Sequence, residues 1–203
     1  MDKLIYRKTG YGIWLHGTNQ SQPIATRGCV STANESLAQL HSYIELNKTP
    51  FIVEEQITYI SNEDAKRLTR ELLKFLESWR QAWEEDQTEK YLSLYSKEFL
   101  TSKFNHQQWL AYKRRVNQRN QNRKIQLRHI SILKSKNIYQ IQFTQDYRSS
   151  RFNSKGQKHL YVQQHQDSFQ ILSETWESSA IHSHLETVAM LPPTNNANMV
   201  FQP

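Results

Sequence analysis

The chain has 203 residues, enough for one or two domains, and 26 Lys and Arg against 19 Asp and Glu give it a net charge of +7. With a mean hydropathy of −0.79 it is polar, and it has no apolar run near the ~18 residues of a membrane-spanning helix. The first residues lack the apolar core of a signal peptide, and a single cysteine excludes an internal disulfide framework.

The first motif along the chain joins His16 to Cys29, and each of the two has a glycine beside it, Gly17 and Gly28. A reactive thiolate needs a nearby base or positive charge at neutral pH. His16 can supply the base, and Arg27 and the loop amides can add positive potential. The alternative is that Cys29 is a small buried side chain near a histidine in a loop.

The residues around this pair predict short regular elements. The run Gly12–Thr18 predicts a hydrophobic strand that ends in a loop, and Asn34–Leu37 predicts the start of a helix. A further short strand is predicted at Thr49–Val53.

This order of motifs resembles the C-terminal half of the L,D-transpeptidase catalytic domain of bacterial cell-wall enzymes, over about residues 10–54. Many members have a histidine where this chain has Arg27, and their loop between histidine and cysteine is longer. Because only ten residues precede Tyr11, we expect an N-terminally truncated copy of that domain, a fragment, or the product of a misplaced start codon. The matching residues are His16, Gly17, Thr18, Thr26, Gly28, Cys29, Val30, Asn34, Leu37, Thr49, Pro50 and Val53.

The resemblance implies acyl transfer through a thioester on peptidoglycan tetrapeptide stems. Cys29 would be the nucleophile, His16 the general acid and base, and the Gly17 carbonyl would orient the His16 ring. Gly28, Arg27 and Thr26 would line the substrate and oxyanion side. An amine acceptor would give a cross-link, and water would give L,D-carboxypeptidase trimming. The resemblance also implies the periplasm or cell envelope and no cofactor or metal.

Beyond residue 60 the apolar spacing predicts three helices. Ser61 is the predicted N-cap of a long amphipathic helix, Thr88–Phe99 is a second helix, and His106–Gln118 is a third. The predicted inward side chains are Leu68, Leu72, Phe75, Trp79 and Trp83 in the first, Tyr91, Leu92, Tyr95 and Phe99 in the second, and Trp109, Tyr112 and Val116 in the third.

The pattern then changes to the period of strands. Alternation from Tyr139 to Tyr147 predicts a half-buried strand, and a preceding strand from Ile125 changes phase, which predicts a bulge at His129 or Ile130. A turn at Asn153–Gly156 and strands at Lys158–Gln164 and Ser168–Trp176 complete the pattern.

Helices followed by antiparallel strands predict an α+β fold. Together with the motifs Trp79-x-x-Ala82-Trp83, Tyr91-Leu92-x-x-Tyr95, Trp109-x-x-Tyr112-Lys113 and Phe143-x-Gln145-x-Tyr147, this order resembles the nuclear-transport-factor-2-like (NTF2-like) fold, a cone of three helices packed on a curved antiparallel sheet. The predicted domains are a partial L,D-transpeptidase domain at 1–55 and an NTF2-like domain at 60–178, with a disordered tail at 179–203. The aromatic stripe is either core or a ligand cage.

A cationic run is the remaining signal. Seven Lys or Arg and no acids lie between Lys113 and Arg128. They are a solvated helix end, a nucleic-acid surface, or a patch that attracts stem-peptide carboxylates. No nucleic-acid motif accompanies them, and the resemblance to peptidoglycan enzymes implies stem peptides as the partner. An oligomer through the second domain is a further possibility. The second functional hypothesis is a non-catalytic peptidoglycan- or protein-binding module that carries an enzyme remnant.

Overall fold

The computed structural model divides the chain into two compact units, Met1–Ile60 and Ser61–Pro203. The parts of the chain that it describes are residues 14–19, 26, 28–46, 49–53, 56 and 58–179. The predicted tail therefore falls outside the described residues, apart from position 179.

The first unit contains a small parallel sheet and one helix. Strand β1 (Leu15–Thr18) pairs with β2 (Val30–Ala33), and helix α1 (Asn34–His41) follows directly. The predicted helix start at Asn34 is confirmed. The strand predicted within Gly12–Thr18 is present as β1, and both His16 and Gly17 lie in it. The described residues 49–53 form no strand, so that prediction was wrong; a short apolar run does not by itself determine whether a strand forms.

Three helices open the second unit: α2 (Asn62–Glu84), α3 (Thr88–Ser93) and α4 (His106–Arg119). As predicted, Ser61 caps α2, and its hydroxyl accepts a hydrogen bond of 3.0 Å from the Asp64 amide. Asn105 and Gln108 form a reciprocal capping box at the start of α4. Both caps satisfy amides that a helix cannot satisfy by itself.

Four antiparallel strands form the sheet, in the order β3-β4-β5-β6. They are β3 (Lys124–Ser135), β4 (Ile138–Arg148), β5 (Asn153–His165) and β6 (Ser168–Ser178). The predicted bulge is confirmed, since the β3–β4 register shifts between Arg128 and Ser131. Residues 153–156 belong to β5, so the predicted turn there was wrong; the turn lies earlier, where the Ser149 amide bonds the Phe152 carbonyl at 3.0 Å.

Helix α3 ends at Ser93, well before the predicted Phe99. The chain beyond it runs along the free side of β6, where the Ile171 amide donates to Leu94 O at 2.8 Å and the Leu100 amide to Leu172 O at 3.0 Å. Hydrogen bonding to the sheet thus replaces the last predicted turns of helix. The predicted inward side chains Tyr91, Leu92, Tyr95 and Phe99 are nevertheless all buried.

The core lies between the helices and the concave face of the sheet. Trp79 is fully buried at its centre, with ring centroids 5.3 Å from Trp83, 5.9 Å from Tyr91 and 5.9 Å from Phe143. All alternate residues of β4 from Tyr139 to Tyr147 face inward, as predicted. Among the described residues, no helix is both long and apolar enough to cross a membrane.

Candidate ligand-binding site in the second unit

Helix α4 carries a lysine into the core. Trp109, Lys113 and Asn117 are its buried residues, whereas the predicted Tyr112 and Val116 are only half-buried. The buried face therefore follows a spacing of four residues rather than three. This rotation places the Lys113 ammonium inside the cone, with the side chain only 6% exposed.

Three aromatic rings surround the Lys113 ammonium. Its Nζ lies 4.3 Å from the ring centroid of Trp83, 4.9 Å from that of Trp109 and 5.3 Å from that of Tyr91. Such contacts stabilise a cation through the negative faces of the rings. Lys113 makes no ion pair with any acid in the described part of the chain, which is unusual for a charge this deeply buried.

Burial lowers the pKa of Lys113 from 10.5 to about 7. The charge of Glu174 acts in the opposite direction, and the charges of Lys158 and Arg123 add to the lowering. Lys113 is therefore poised between its charged and neutral forms near neutral pH. An anionic ligand that reached it would restore the charged form.

A second buried cluster surrounds Glu174, and Tyr91 belongs to both clusters. The Lys158 ammonium forms an ion pair with this carboxylate, and the Tyr95 hydroxyl donates to it at 2.8 Å. Because Tyr95 gives its proton to Glu174, Tyr91 must be the donor in the 2.7 Å bond between the two tyrosine hydroxyls. Trp79 Nε1 donates to the same Tyr95 oxygen at 3.1 Å.

The cluster keeps its groups in defined protonation states. Burial alone would raise the pKa of Glu174, but the charges of Lys158 and Lys113 outweigh it and the net shift is downward. Burial, followed by the charge of Glu174, holds the pKa values of Tyr91 and Tyr95 well above the usual tyrosine value. Glu174 is thus ionised at neutral pH, and both tyrosines keep their protons.

Two further polar atoms of the interior are buried without a partner among the described residues: Trp109 Nε1, a donor, and Gln145 Oε1, an acceptor. A buried polar group without a hydrogen bond is costly, and a bound ligand or water is one way to satisfy it. Among the described residues, the interior therefore combines a cation without an ion pair, aromatic rings and two polar atoms without hydrogen bonds.

Arg123 is buried for a structural reason. Its guanidinium donates to Trp83 O at 2.7 Å and to Asn120 O at 2.9 Å, and it pairs with Asp86. It ties the end of α2 to the end of α4. The cationic run therefore forms no single surface patch: Lys113 and Arg123 are interior, Arg114 pairs with Glu89 at 2.8 Å, and Arg115 and Arg119 are exposed at the end of α4.

The sequence analysis missed Lys113, Lys158 and Glu174 as members of one site. Lys158 alternates with the inward-facing Leu160 and Val162, which was an available signal. Glu174 gave no such signal, because a bulge shifts the β5–β6 register between Tyr161 and Val162 and reverses the phase of β6 after Ile171. Gln145 was already on the inward phase of β4.

The structure brings the predicted catalytic residues of the first unit onto neighbouring strands. His16 pairs with Ser31 in the parallel register, and Cys29 immediately precedes β2. His16 Nδ1 lies 3.2 Å from the Gly17 carbonyl oxygen, and the Thr26 hydroxyl donates to the Cys29 carbonyl. Gly28 has a φ of 110°, a conformation that side chains disfavour. Arg27 lies outside the described residues. The catalytic roles themselves stay predictions.

Comparison with known proteins places the second unit in a family. Residues 71–175, just over half of the chain, match the model of the Cds6 C-terminal NTF2-like domain. The chain belongs to this family. The predicted α+β, NTF2-like fold of the second unit is thereby confirmed. The family match gives no support for an L,D-transpeptidase catalytic domain in the first unit, and no curated protein matches the chain.

Two solved structures are similar over more than the second unit. Bd1075 of Bdellovibrio bacteriovorus is 32% identical, with 84% of this chain and 63% of that one covered and a TM-score of 0.72. The helical cell shape determining protein Pgp2 of Campylobacter jejuni is 27% identical, with 82% and 61% covered and a TM-score of 0.66. The chain thus spans about three fifths of the length of either relative.

A putative scytalone dehydratase from Novosphingobium aromaticivorans is only 8% identical, with 58% of this chain and 88% of that one covered. Its TM-score of 0.51 shows a shared fold and nothing about activity. In the described part of the chain, no group of His, Cys, Asp and Glu could hold a metal ion.

Proposed function

We propose that the NTF2-like domain binds peptidoglycan stem peptides in the cell envelope and that Lys113 receives a stem carboxylate. The observation that carries this proposal is the buried ammonium without an acidic partner among the described residues. A carboxylate is the natural counter-ion, since a charge-assisted bond in a low dielectric is strong. Stem peptides are rich in carboxylates, and the similarity to a helical cell shape determining protein supports a cell-wall role.

The aromatic and polar neighbours suit such a ligand. Trp83 and Trp109 surround the Lys113 ammonium with apolar rings, and a bond between that ammonium and a ligand carboxylate would be strong in such a setting. Trp109 Nε1 can donate to a peptide carbonyl, and Gln145 Oε1 can accept from a peptide amide. The ion pair of Lys158 and Glu174 leaves a net positive interior once Lys113 is charged.

Titration calorimetry with a soluble tetrapeptide stem tests this function. The free stem should bind. The same stem with its carboxyl groups converted to carboxamides should bind at least about tenfold more weakly, because the counter-charge for Lys113 is lost. Equal affinity for the two ligands would contradict a carboxylate-recognition site.

A second candidate function is acyl transfer at Cys29, either transpeptidation or L,D-carboxypeptidase trimming. The parallel pairing of β1 and β2, which places His16 opposite Ser31, two residues after Cys29, favours it. Residues 61–203 make up only about 70% of the chain, so a similarity that covers 84% must extend into the first unit. His16 would act as the general base, with its ring held by the Gly17 carbonyl.

Mass spectrometry after incubation with a carbapenem tests this second function. The expected result is an adduct on Cys29 that is absent from the Cys29→Ala variant. An intact chain that forms no adduct, or a variant that still forms one, would leave the binding module as the function of the chain.

A further inference from the structure

We propose that the open edge of β3 is a docking site for an extended, acidic segment of a partner protein. The two edges of the sheet differ. The side of β6 is occupied by the segment from Leu94 to Leu100, whereas β3 pairs with β4 alone among the described strands. An open edge presents backbone groups that can bind another extended chain.

A carboxylate already occupies the start of this edge. Glu84, in the last turn of α2, accepts a hydrogen bond of 2.8 Å from the Ile125 amide. Arg80 holds the same Glu84 carboxylate at 2.7 Å. Because N–H groups alternate in direction along an antiparallel strand, the Leu127 amide points to the same open side as that of Ile125. The Leu127 amide is thus oriented to donate a hydrogen bond to a partner in the same way as the Ile125 amide donates to Glu84.

A groove runs beside this part of the edge. It has a volume of about 400 Å³ and lies between α2 and β3. Leu73 from α2 and Ile130 from β3 line it and are 37% and 41% exposed. The bulge after Arg128 interrupts the strand, so the straight stretch Lys124–Arg128 is what a partner strand can pair with. The groove lies beside this straight stretch. When a partner strand pairs with the stretch, every second side chain of that strand would point into the groove, and apolar side chains there would fill it.

The charge of the edge selects the partner. Residues 124–136 contain Lys124, Arg128, Lys134 and Lys136 and no acid, and all four cations are exposed. Of the acids on α2, Glu84 lies 3.6 Å from Lys124, and Glu77, which lines the groove, pairs with Arg80. Two copies of this edge would repel each other, which disfavours a dimer formed through β3. An acidic strand would be attracted, and its association would be faster at low ionic strength. The structure therefore favours an acidic polypeptide over a second copy of the chain.

The test uses the full chain and two labelled peptides, one of alternating valine and glutamate and one of alternating valine and lysine. Fluorescence anisotropy should show binding of the glutamate peptide only. Arg128→Glu should weaken it about tenfold, while Arg115→Glu, the same charge change on the exposed end of α4, should have little effect. Hydrogen exchange at the Leu127 amide should slow in the complex, which reports strand pairing rather than general charge attraction.

Three outcomes would overturn the proposal. Equal weakening by Arg128→Glu and Arg115→Glu would mean attraction by net charge alone. Comparable binding of the lysine peptide would remove the charge selectivity. A concentration-dependent dimer of the chain that Arg128→Glu alters would assign the edge to a second copy instead.

Discussion

Lys113 is the residue on which the chemistry of the second unit depends. Its ammonium is surrounded by three aromatic rings and has lost most of its hydration. Burial lowers its pKa to about 7, so the folded chain releases this proton far more readily than the unfolded chain does. Burying the Lys113 ammonium away from water costs folding free energy, which is expected of a group that serves binding rather than stability.

The first prediction concerns Lys113→Met. In the wild type the unfolded chain holds the Lys113 proton up to about pH 10.5 and the folded chain only up to about pH 7. Between these values the unfolded state binds more protons, so the free energy of unfolding should rise with pH by roughly 1 kcal/mol per pH unit. The variant should lack this rise and be more stable than wild type at pH 6.

Urea unfolding at pH 6, 7, 8 and ~9 measures this difference. The exposed Lys66→Met on α2 is the matched control and should leave the pH dependence of the wild type unchanged. Parallel pH curves for the wild type and Lys113→Met would mean that Lys113 keeps an ordinary pKa in the folded chain.

Gly156 lies where strands β5 and β6 approach each other closely. A Cβ at this position would overlap the Glu177 carbonyl of β6 and lie 2.9 Å from the Trp176 ring. The second prediction is that Gly156→Ala lowers the free energy of unfolding by about 1–3 kcal/mol, because the strands must separate to admit the methyl group. Gln157→Ala, on the next residue and the opposite face, should cost far less. Urea titration of both variants decides whether the approach is this close in solution.

At the scale of elements, the spacing of apolar residues predicted those helices and strands that depend on the local sequence alone. The spacing of Leu72, Phe75, Trp79 and Trp83 fixed α2, and strict alternation fixed β4. Elements that depend on distant partners could not be predicted in this way. Helix α3 ends early because the segment that follows it forms hydrogen bonds with β6. Glu174 faces inward only because a bulge in β6 changes the phase of that strand. The inward direction of Glu174, and with it the pairing to Lys158, could therefore not be predicted from the sequence, although the inward phase of Lys158 could.

The third prediction concerns the centre of α2. Trp79 is fully buried among Trp83, Tyr91 and Phe143 and also bonds the Tyr95 hydroxyl. Trp79→Ala should lower the free energy of unfolding by roughly 3–5 kcal/mol, through lost contacts and a cavity. Trp176→Ala, at a ring that is 38% exposed, is the control and should cost clearly less. Similar losses for both tryptophans would contradict a core centred on Trp79.

At the scale of the whole molecule, the two units differ in how well they bury their apolar residues. The second has a continuous core shared by three helices and four strands. In the first, Trp14, Tyr43, Leu46 and Phe51 are all more than half exposed, and the described residues form a sheet of two strands. A sheet of this size buries little apolar surface and is marginally stable by itself.

The fourth prediction follows from this difference. Limited proteolysis of the chain should leave a resistant fragment that begins between residues 57 and 62 and retains α2 to β6. N-terminal sequencing and mass spectrometry identify the fragment. Equal resistance of residues 1–55 would mean that the first unit is stably folded in this chain, and it would strengthen the case for a working Cys29 site.

The most direct measurement of the central claim is calorimetric titration of a free tetrapeptide stem into three proteins: wild type, Lys113→Met and the control Lys66→Met. The account predicts that wild type and Lys66→Met bind alike, and that Lys113→Met loses at least about tenfold in affinity because the ligand carboxylate has no counter-ion. Binding that survives in Lys113→Met with unchanged affinity would contradict the assignment of the buried lysine as the ligand-recognition group.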